Sequence, residues 1–470
     1  MSTRETLGLM ALLGGSFMVV LDFFIVLVAL PSIQAELHAT SASLQLVVTG
    51  YGIANAIAFI AGGRLGDTFG RQRMFQLGLG LFVLASVAVA VAPFTPLLIA
   101  ARIAQGLAGA LLQPQVLGTL SSLYTGAKRA RVFAWYAVAM GCAGVVGQLL
   151  GGVLIHFNAL GSGWRTCFLI NVPIGLAALL LVRRCVPADV GHRSPIDAIG
   201  TALTAAALLL LTLPLTYGRE QGWPLWSLLC APAFVAIALW LYRHERHLER
   251  TGASPLLPTE LFRVRSFSAG LLRVLLFYSG VASFYFILAL HLQQNLGFGA
   301  LGAGAMFAVL ALSFVVTSLH GARLRALVGV AGPMASAAVL ILGHVAMALA
   351  VWHGVDSTMV LVVCLSIQGA GIALTMVPLV SSTLAGAPAT HAGVASGVLS
   401  TLQQVGNSLG VMIVGLLYFG AQARPGFLVS LAYLVVINLV LLALLFSARP
   451  HSRGAGGRQP KAEYAEERRR

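Results

Sequence analysis

Charge is what this chain has least of. Only 9% of its 470 residues are Asp, Glu, Lys or Arg, against 58% that are hydrophobic. A soluble fold cannot hide that much apolar surface, because one core stops growing and the chain splits into domains. Acids are scarcer than bases, 14 against 29. The cysteines number five, Cys142, Cys167, Cys185, Cys230 and Cys364, and none forms a CxxC pair. That scatter fits neither a disulfide framework nor a cysteine metal site. No GxxxxGK followed by Ser or Thr occurs, so ATP is not bound in the usual way. Gly78 and Gly80 sit inside an apolar run, where they serve packing rather than a phosphate loop. HExxH and Cys/His clusters are missing too, and no long polar stretch could house a soluble active site. These absences argue against an enzyme, a resident metal and a bound cofactor.

What is present instead is apolar sequence in runs of about twenty residues, each the length of a membrane helix. Fourteen spans are expected, near 8–30, 45–63, 75–92, 97–122, 133–156, 165–183, 197–217, 224–242, 267–291, 301–320, 330–351, 356–383, 392–420 and 427–447. A lipid-spanning barrel would show short alternating segments. The first run is too long for a signal h-region and is read as an uncleaved helix. With the N-terminus inside, most of the 29 basic residues fall on the cytoplasmic side, and the outer loops hold Arg165, Arg219 and Arg424. This positive-inside pattern puts both termini in the cytoplasm of a bacterial-type inner membrane. It also explains the net charge of +15 without nucleic acid, as a topology signal with some attraction to anionic lipid.

The chain echoes itself. Arg64-Leu65-x4-Gly70 returns as Arg323-Leu324-x4-Gly329. Val146-Gly147-Gln148-Leu149-Leu150-Gly151 returns as Val405-Gly406-Asn407-Ser408-Leu409-Gly410 at the same offset, and Gln105-Gly106 returns as Gln368-Gly369 nearby. Three echoes in order imply related halves. The expected division is a six-helix bundle over 1–184, a two-helix insert with a basic cytoplasmic loop over 185–258, a second bundle over 259–448 and a disordered cytoplasmic tail over 449–470.

One acid stands out. Asp22 lies inside Leu7–Leu30, where a lone charge is costly and usually faces a cavity. It sits about 4.5 Å outward of the span's centre at helical rise. Arg102, within span 4, has a similar depth, and Gln105 is nearly one turn further in on the same face. Burial raises a carboxyl pKa and a nearby cation lowers it, so a balanced site can take and release a proton. The expectation is that Arg102 keeps Asp22 ionised in one state and leaves it in another. The plainer alternatives are a permanently hydrogen-bonded acid and an arginine that snorkels to the headgroups. Val281 occupies the repeat position of Asp22. Glu36 falls past Pro31 and is expected as a solvated charge in the first outer loop.

Four segments read together: Leu21-Asp22-Phe23-Phe24-Ile25-Val26-Leu27-Val28-Ala29-Leu30-Pro31 in span 1; Gly63-Arg64-Leu65-Gly66-Asp67-Thr68-Phe69-Gly70-Arg71-Gln72-Arg73 as the loop between spans 2 and 3; Arg102-Ile103-Ala104-Gln105-Gly106-Leu107-Ala108-Gly109 in span 4; and Gly147-Gln148-Leu149-Leu150-Gly151-Gly152 in span 5. They resemble the first-helix, loop, fourth-helix and antiporter motifs of the major facilitator superfamily. Trp164-Arg165-Thr166-Cys167-Phe168-Leu169-Ile170-Asn171-Val172-Pro173-Ile174-Gly175 looks like a signature of its fourteen-helix drug:proton antiporters. The resemblance implies efflux of a small molecule driven by inward proton flow. The motifs also depart from the family pattern. Gln148 replaces a proline that would kink the helix, and Phe24 and Leu27 replace polar residues, which makes the pocket wall more apolar. Ala326 stands where the second-half loop would repeat Asp67.

In physical terms, Asp67 between Gly66 and Gly70, amid Arg64, Arg71 and Arg73, reads as a one-sided cytoplasmic latch; a simple topology determinant is the alternative. Gly144, Gly147, Gly151 and Gly152 let span 5 approach another helix, and Gln148 and Asn407 either cross-link helices or line the path. The resemblance places Phe24, Gln105, Gln113 and Gln368 on the substrate cavity. Buried amides often serve only as helix glue, and His291 and His344, which could carry protons, are more often hydrogen-bonded bystanders. Arg273 can snorkel.

The sequence is therefore read as an all-α integral membrane protein of the major facilitator fold, two six-helix bundles around a cavity plus two additional central helices. The expected activity is export of hydrophobic or amphipathic small molecules in exchange for protons, by alternating access. Energy comes from the proton gradient, lipid is the only other partner, and one copy suffices. Asp22 and Arg102 couple the proton; Gly63, Asp67, Gly70, Arg71 and Arg73 govern the cytoplasmic gate. Proton symport is the main alternative. A membrane enzyme on lipid-linked substrates or a non-transporting sensor would need features that this sequence does not display.

Overall fold

The computed structural model describes residues 2–158, 161–189, 191, 197–253, 255–328, 332–355, 357–387, 392–421 and 423–447. The tail over 449–470, like Gly329 of the repeated loop motif, lies outside the described residues, and the side chain of Ala326 is not described. The described residues contain no β-strand. Among the described residues, fourteen helices are long and apolar enough to cross a membrane, and each overlaps one expected span.

We number the fourteen in chain order. The first six are α1 (Thr3–Leu37), α2 (Ser41–Phe69), α3 (Arg71–Ala90), α4 (Thr95–Leu123), α5 (Gly126–Phe157) and α6 (the span Gly163–Cys185). Then come α7 (Ala198–Tyr217) and α8 (Leu225–Arg250). The last six are α9 (Arg265–Leu290), α10 (Ala300–Val328), α11 (Gly332–Trp352), α12 (Thr358–Ala385), α13 (Ala392–Ala421) and α14 (Ala423–Ser447).

Packing repeats between the first six and the last six. In the first half α1 lies on α5 and α6, α2 on α4, and α3 on α4 and α6. In the second, α9 lies on α13 and α14, α10 on α12, and α11 on α12 and α14. The halves meet along two seams that exchange under this repeat, α2 with α13 and α5 with α10. The two additional helices pack on each other, and α7 also rests on α2 and α13. We call the face carrying the N-terminal end of α1 and the C-terminal end of α14 the terminal face, and the other the opposite face.

Local chemistry sets the helix limits. Ser2 and Glu5 form a reciprocal capping box at the start of α1. The helix then runs through Pro31 to Leu37. Its apolar residues from Ile25 to Leu30 are buried, as expected of a helix that is hydrophobic all round. Glu36 is therefore helical, and not in the outer loop. A proline in a packed membrane helix gives up one hydrogen bond without ending the helix.

The loop motif is a second correction. α2 continues helically through Gly66, Asp67 and Phe69, and Gly70 alone, at φ +95°, separates it from α3. Gly66 is not a flexible loop glycine. A side chain there would collide with the Gln115 amide of α4, so glycine is needed for close packing. α6 has a break: a 3₁₀ turn (Gly163–Arg165), a short helix (Thr166–Leu169), a turn at Ile170, and then Asn171–Cys185.

Candidate functional site

Asn171 of α6 lies beside the acid of α1. Asp22, Arg102, Gln105, Ser86 and Asn171, from four helices, are all fully buried. Arg102 Nη1 pairs with Asp22 Oδ2 and also donates to Gln105 Oε1 at 2.6 Å. Its Nε donates to the Val47 carbonyl at 3.0 Å. Asp22 Oδ1 accepts from Gln105 Nε2 at 2.8 Å and from Asn171 Nδ2 at 2.7 Å. Ser86 Oγ accepts from the same two amides, at 2.8 and 3.2 Å, and donates to the Phe82 carbonyl. The guanidinium carbon lies 4.4 Å over the Tyr51 ring, and the Tyr51 hydroxyl donates to the Val19 carbonyl.

Every group on the carboxylate is a donor. The arrangement therefore suits ionised Asp22, with its charge cancelled by Arg102 and its lone pairs taken by amides. Donors on the carboxylate help a buried ion pair to offset its desolvation, while Arg102 Nη2 has no hydrogen-bond partner among the described residues. Arg102 does not snorkel. Sequence reasoning missed Ser86, Tyr51 and Asn171 as members of this cluster. The available signal was Asn171, a polar residue within a span quoted only as part of a signature.

The expected cavity residues are spread apart. Phe24 is half-buried on α1, with Gly144 of α5 against its ring and Tyr285 of α9 edge-on at 5.5 Å between centroids. It thus sits where the halves meet. Rings continue in both directions from it, through Phe23 to Tyr51 and through Tyr285 to Phe307 and Phe284. Gln113 is half-buried on α4. Gln105 is engaged by the acid and by Ser86 of α3, so its amide is turned into the first bundle. Gln368 is likewise turned into the second: its Nε2 lies 2.7 Å from His344 Nε2 on α11. His344 Nδ1 meets the Leu340 carbonyl at 2.9 Å, which suits a proton on that nitrogen. Gln105 with Ser86 and Gln368 with His344 are thus related by the internal repeat.

At the terminal face, Arg71 pairs with Asp67 at 2.8 Å across Gly70 and donates to the Gly118 carbonyl of α4 at 3.0 Å. Gly63 lies against Pro114 of α4, and Arg73 is exposed. These contacts stay within the first half. Arg64 is the motif residue that reaches further, to the Pro255 carbonyl in the linker before α9. Gln72 and Asp189, which carried no expectation, tie the start of α3 to the end of α6: Asp189 Oδ1 accepts the Gln72 backbone N–H, and the Gln72 amide donates to the Val182 and Val186 carbonyls.

The antiporter-motif helix has two glycine faces. A methyl group on Gly147 would lie 2.8 Å from the Leu21 carbonyl, and one on Gly151 2.9 Å from Ile25, so this face needs glycine to lie on α1. Gly152 meets the Ala300 carbonyl, and Gly304 of α10 meets the Gln148 carbonyl. Gln148 is buried, and its Nε2 has no hydrogen-bond partner among the described residues. Asn407, at the repeat position, instead bonds Gln404, which reaches Asn55 across the other seam. Glu36 accepts the Trp164 indole N–H at 2.7 Å and pairs with Arg165, clasping the opposite-face end of α1 to the start of α6.

The Major Facilitator Superfamily profile matches residues 12–411. The chain is 36% identical over 421 residues to a probable actinorhodin transporter of Streptomyces coelicolor, spanning 89% of this chain and 73% of that one. It is 32% identical over 420 residues to the tetracenomycin C resistance and export protein of Streptomyces glaucescens, spanning 87% and 75%. Among solved structures, the peptide transporter POT in complex with sulfate superimposes with a TM-score of 0.67 over 94% of both chains at 16% identity, a likeness of fold alone. The chain belongs to the Major Facilitator Superfamily.

Proposed function

We propose that the protein is a proton-coupled exporter of hydrophobic or amphipathic small molecules, working by alternating access. The observation that carries this reading is the Asp22–Arg102 pair, a titratable carboxyl and its counter-charge sealed inside the first bundle. An intramembrane pair of this kind is a default proton-relay candidate in transporters. In the state described, every side chain bonded to the carboxyl is a donor. A motion that parts α1 from α4 would remove the guanidinium and favour the acid. Proton uptake and release are thereby tied to helix movement.

The export direction is supported by the relatives, two of which are described as a probable actinorhodin transporter and a tetracenomycin C resistance and export protein. The apolar character of the substrate is supported by Phe24 and Tyr285 at the junction of the halves. The basic residues support a cytoplasmic terminal face, with protons entering from the opposite side. Both halves belong to one chain, so a monomer in the cytoplasmic membrane suffices. Gly63, Asp67, Gly70, Arg71 and Arg73 would order the terminal-face gate, and proton flow would be the energy source.

The test is proton release from everted vesicles, or from proteoliposomes, on addition of lipophilic aromatic compounds. Wild type should exchange substrate for protons and Asp22→Asn should not. Movement of proton and substrate in the same direction, or full proton-driven transport by Asp22→Asn, overturns the reading.

A further inference from the structure

Counting hydrogen bonds around Asp22 exposes a mismatch. The carboxylate is surrounded by donors: Arg102 Nη1, Gln105 Nε2 and Asn171 Nδ2. If Asp22 takes up a proton, its new O–H must find an acceptor in a fully buried site, because an unmade hydrogen bond there is costly. Gln105 Oε1 already accepts from Arg102. Ser86 Oγ accepts from two amides. The acceptor of this cluster without a hydrogen bond among the described residues is Asn171 Oδ1.

We propose that Asn171 is a two-position amide that reads the protonation state of Asp22. With Asp22 ionised, Nδ2 must face the carboxylate, since the reverse orientation would set a carbonyl oxygen against an anion. With Asp22 protonated, a half-turn about the Asn171 Cβ–Cγ bond brings Oδ1 to the acid's O–H. The proton comes from the aqueous side then open and is held on Asp22 Oδ1; no other covalent bond changes. Ser86 gives up its longer contact and keeps the 2.8 Å one from Gln105.

The other titratable groups around Asp22 are Arg102 of α4, Tyr51 of α2 and Cys167 of α6. None supplies an unused carbonyl. Asn171 also opens the helical segment Asn171–Cys185 after the turn at Ile170. Its reorientation thus changes how α6 is held to α1 and α3. Asn171 is a positioning residue here, and the inference rests on the reading of Asp22 as the proton carrier.

The test is infrared difference spectroscopy of the full-length protein in lipid, made by cell-free synthesis with the asparagine side-chain carbonyl carbon labelled, between alkaline and acidic pH. Expected is a carboxylic-acid band that is lost in Asp22→Asn, and in step with it a shift of an asparagine carbonyl band that is lost in Asn171→Leu. Asn171→Ser provides the same assignment if the leucine variant does not fold. An Asp22 acid band with no asparagine shift in the wild type overturns the proposal and leaves the proton reading intact. No Asp22 acid band at any pH overturns both.

Transport supplies a second readout. A fixed donor predicts that Asn171→Leu raises the midpoint of the pH profile by about one to two units, through loss of one charge-assisted bond. A two-position amide supports both forms, so the midpoint should move by well under a unit while exchange falls roughly tenfold at every pH. A full upward shift with an unchanged maximal rate counts against the amide switch.

Discussion

Asp22 and Arg102 are each the condition for the other's burial. Removing either leaves a charge uncompensated in a site with no exposure, a defect that costs about 3–5 kcal/mol in soluble proteins. We therefore expect Asp22→Asn and Arg102→Gln each to lower the melting temperature in detergent, and the double variant to recover much of the loss. None of the three should exchange protons. Additive destabilisation in the double variant would mean that the two side chains contribute independently. Charge alone does not replace the arginine. Its planar fork meets Val47, Asp22 and Gln105 at once, and a lysine ammonium cannot span that set. Arg102→Lys should retain the fold and lose at least about tenfold in transport, measured in proteoliposomes. At the opposite face the scale is different. Glu36 is about half exposed, 48%, so Glu36→Gln should cost less than about 1 kcal/mol, more at low salt than at high, and leave the pH profile of transport unmoved.

The element scale is where glycine decides contact. α5 lies on α1 through Gly147 and Gly151, and Gly147 faces the carbonyl of Leu21, next in sequence to the acid. Gly147→Ala should push α1 away and reduce proton-driven transport at least as much as it reduces stability. Gly14→Ala and Gly80→Ala are the controls: both sites are helical, and a methyl there meets nothing within 4 Å. These should be neutral or stabilising by about 0.5–1 kcal/mol, from helix propensity alone. Thermal melts and transport assays on the three variants check the contrast. Much of this was legible in the sequence for a physical reason. Hydropathy must be written into every residue that faces lipid, so all fourteen spans could be placed, and a charged residue in hydrocarbon is rare enough that Asp22 and Arg102 could be matched by depth. Exchangeable features were not legible. An amide such as Asn171 costs little in a span and looks like helix glue until the packing of α6 on α1 sets it against the acid. Pro31 suggested an end to α1, yet neighbouring helices let the turn continue, which moved Glu36 from solvent into a clasp. Gly66 suggested a loop, but it is a packing site for Gln115 of α4.

For the whole molecule, two seams carry the junction of the halves, and they differ. Along α2 and α13 glycine meets polar side chains, Gly52 against Ser408 and Gly415 against Gln45, and Gln404 donates to Asn55 across the contact. Along α5 and α10 it is glycine against backbone, at Gly152 and Gly304. A glycine seam tolerates rolling, because it has few directional bonds to break. At the opposite face the halves also touch outside the seams: Gln294, in the π turn after α9, donates to Gln34 of α1 at 2.8 Å, and Gln293 donates to the Val28 carbonyl at 3.1 Å. If substrate and protons use that face in alternation with the other, these contacts must part in every cycle. The pair Gln34→Cys and Gln294→Cys, in a chain whose five native cysteines have been replaced, places two thiols across this contact. A short thiol-reactive cross-linker with a reducible linkage should join them and stop transport, and reductant should restore it. Each single variant treated with the same reagent should stay active. The joined protein should still bind a lipophilic ligand added from the terminal face, since only the opposite exit is tied. Undiminished transport with the link intact, verified by mass spectrometry, would mean that α1 and α9 never separate there, and the two bundles would then have to exchange their contents by some motion other than rocking about these seams.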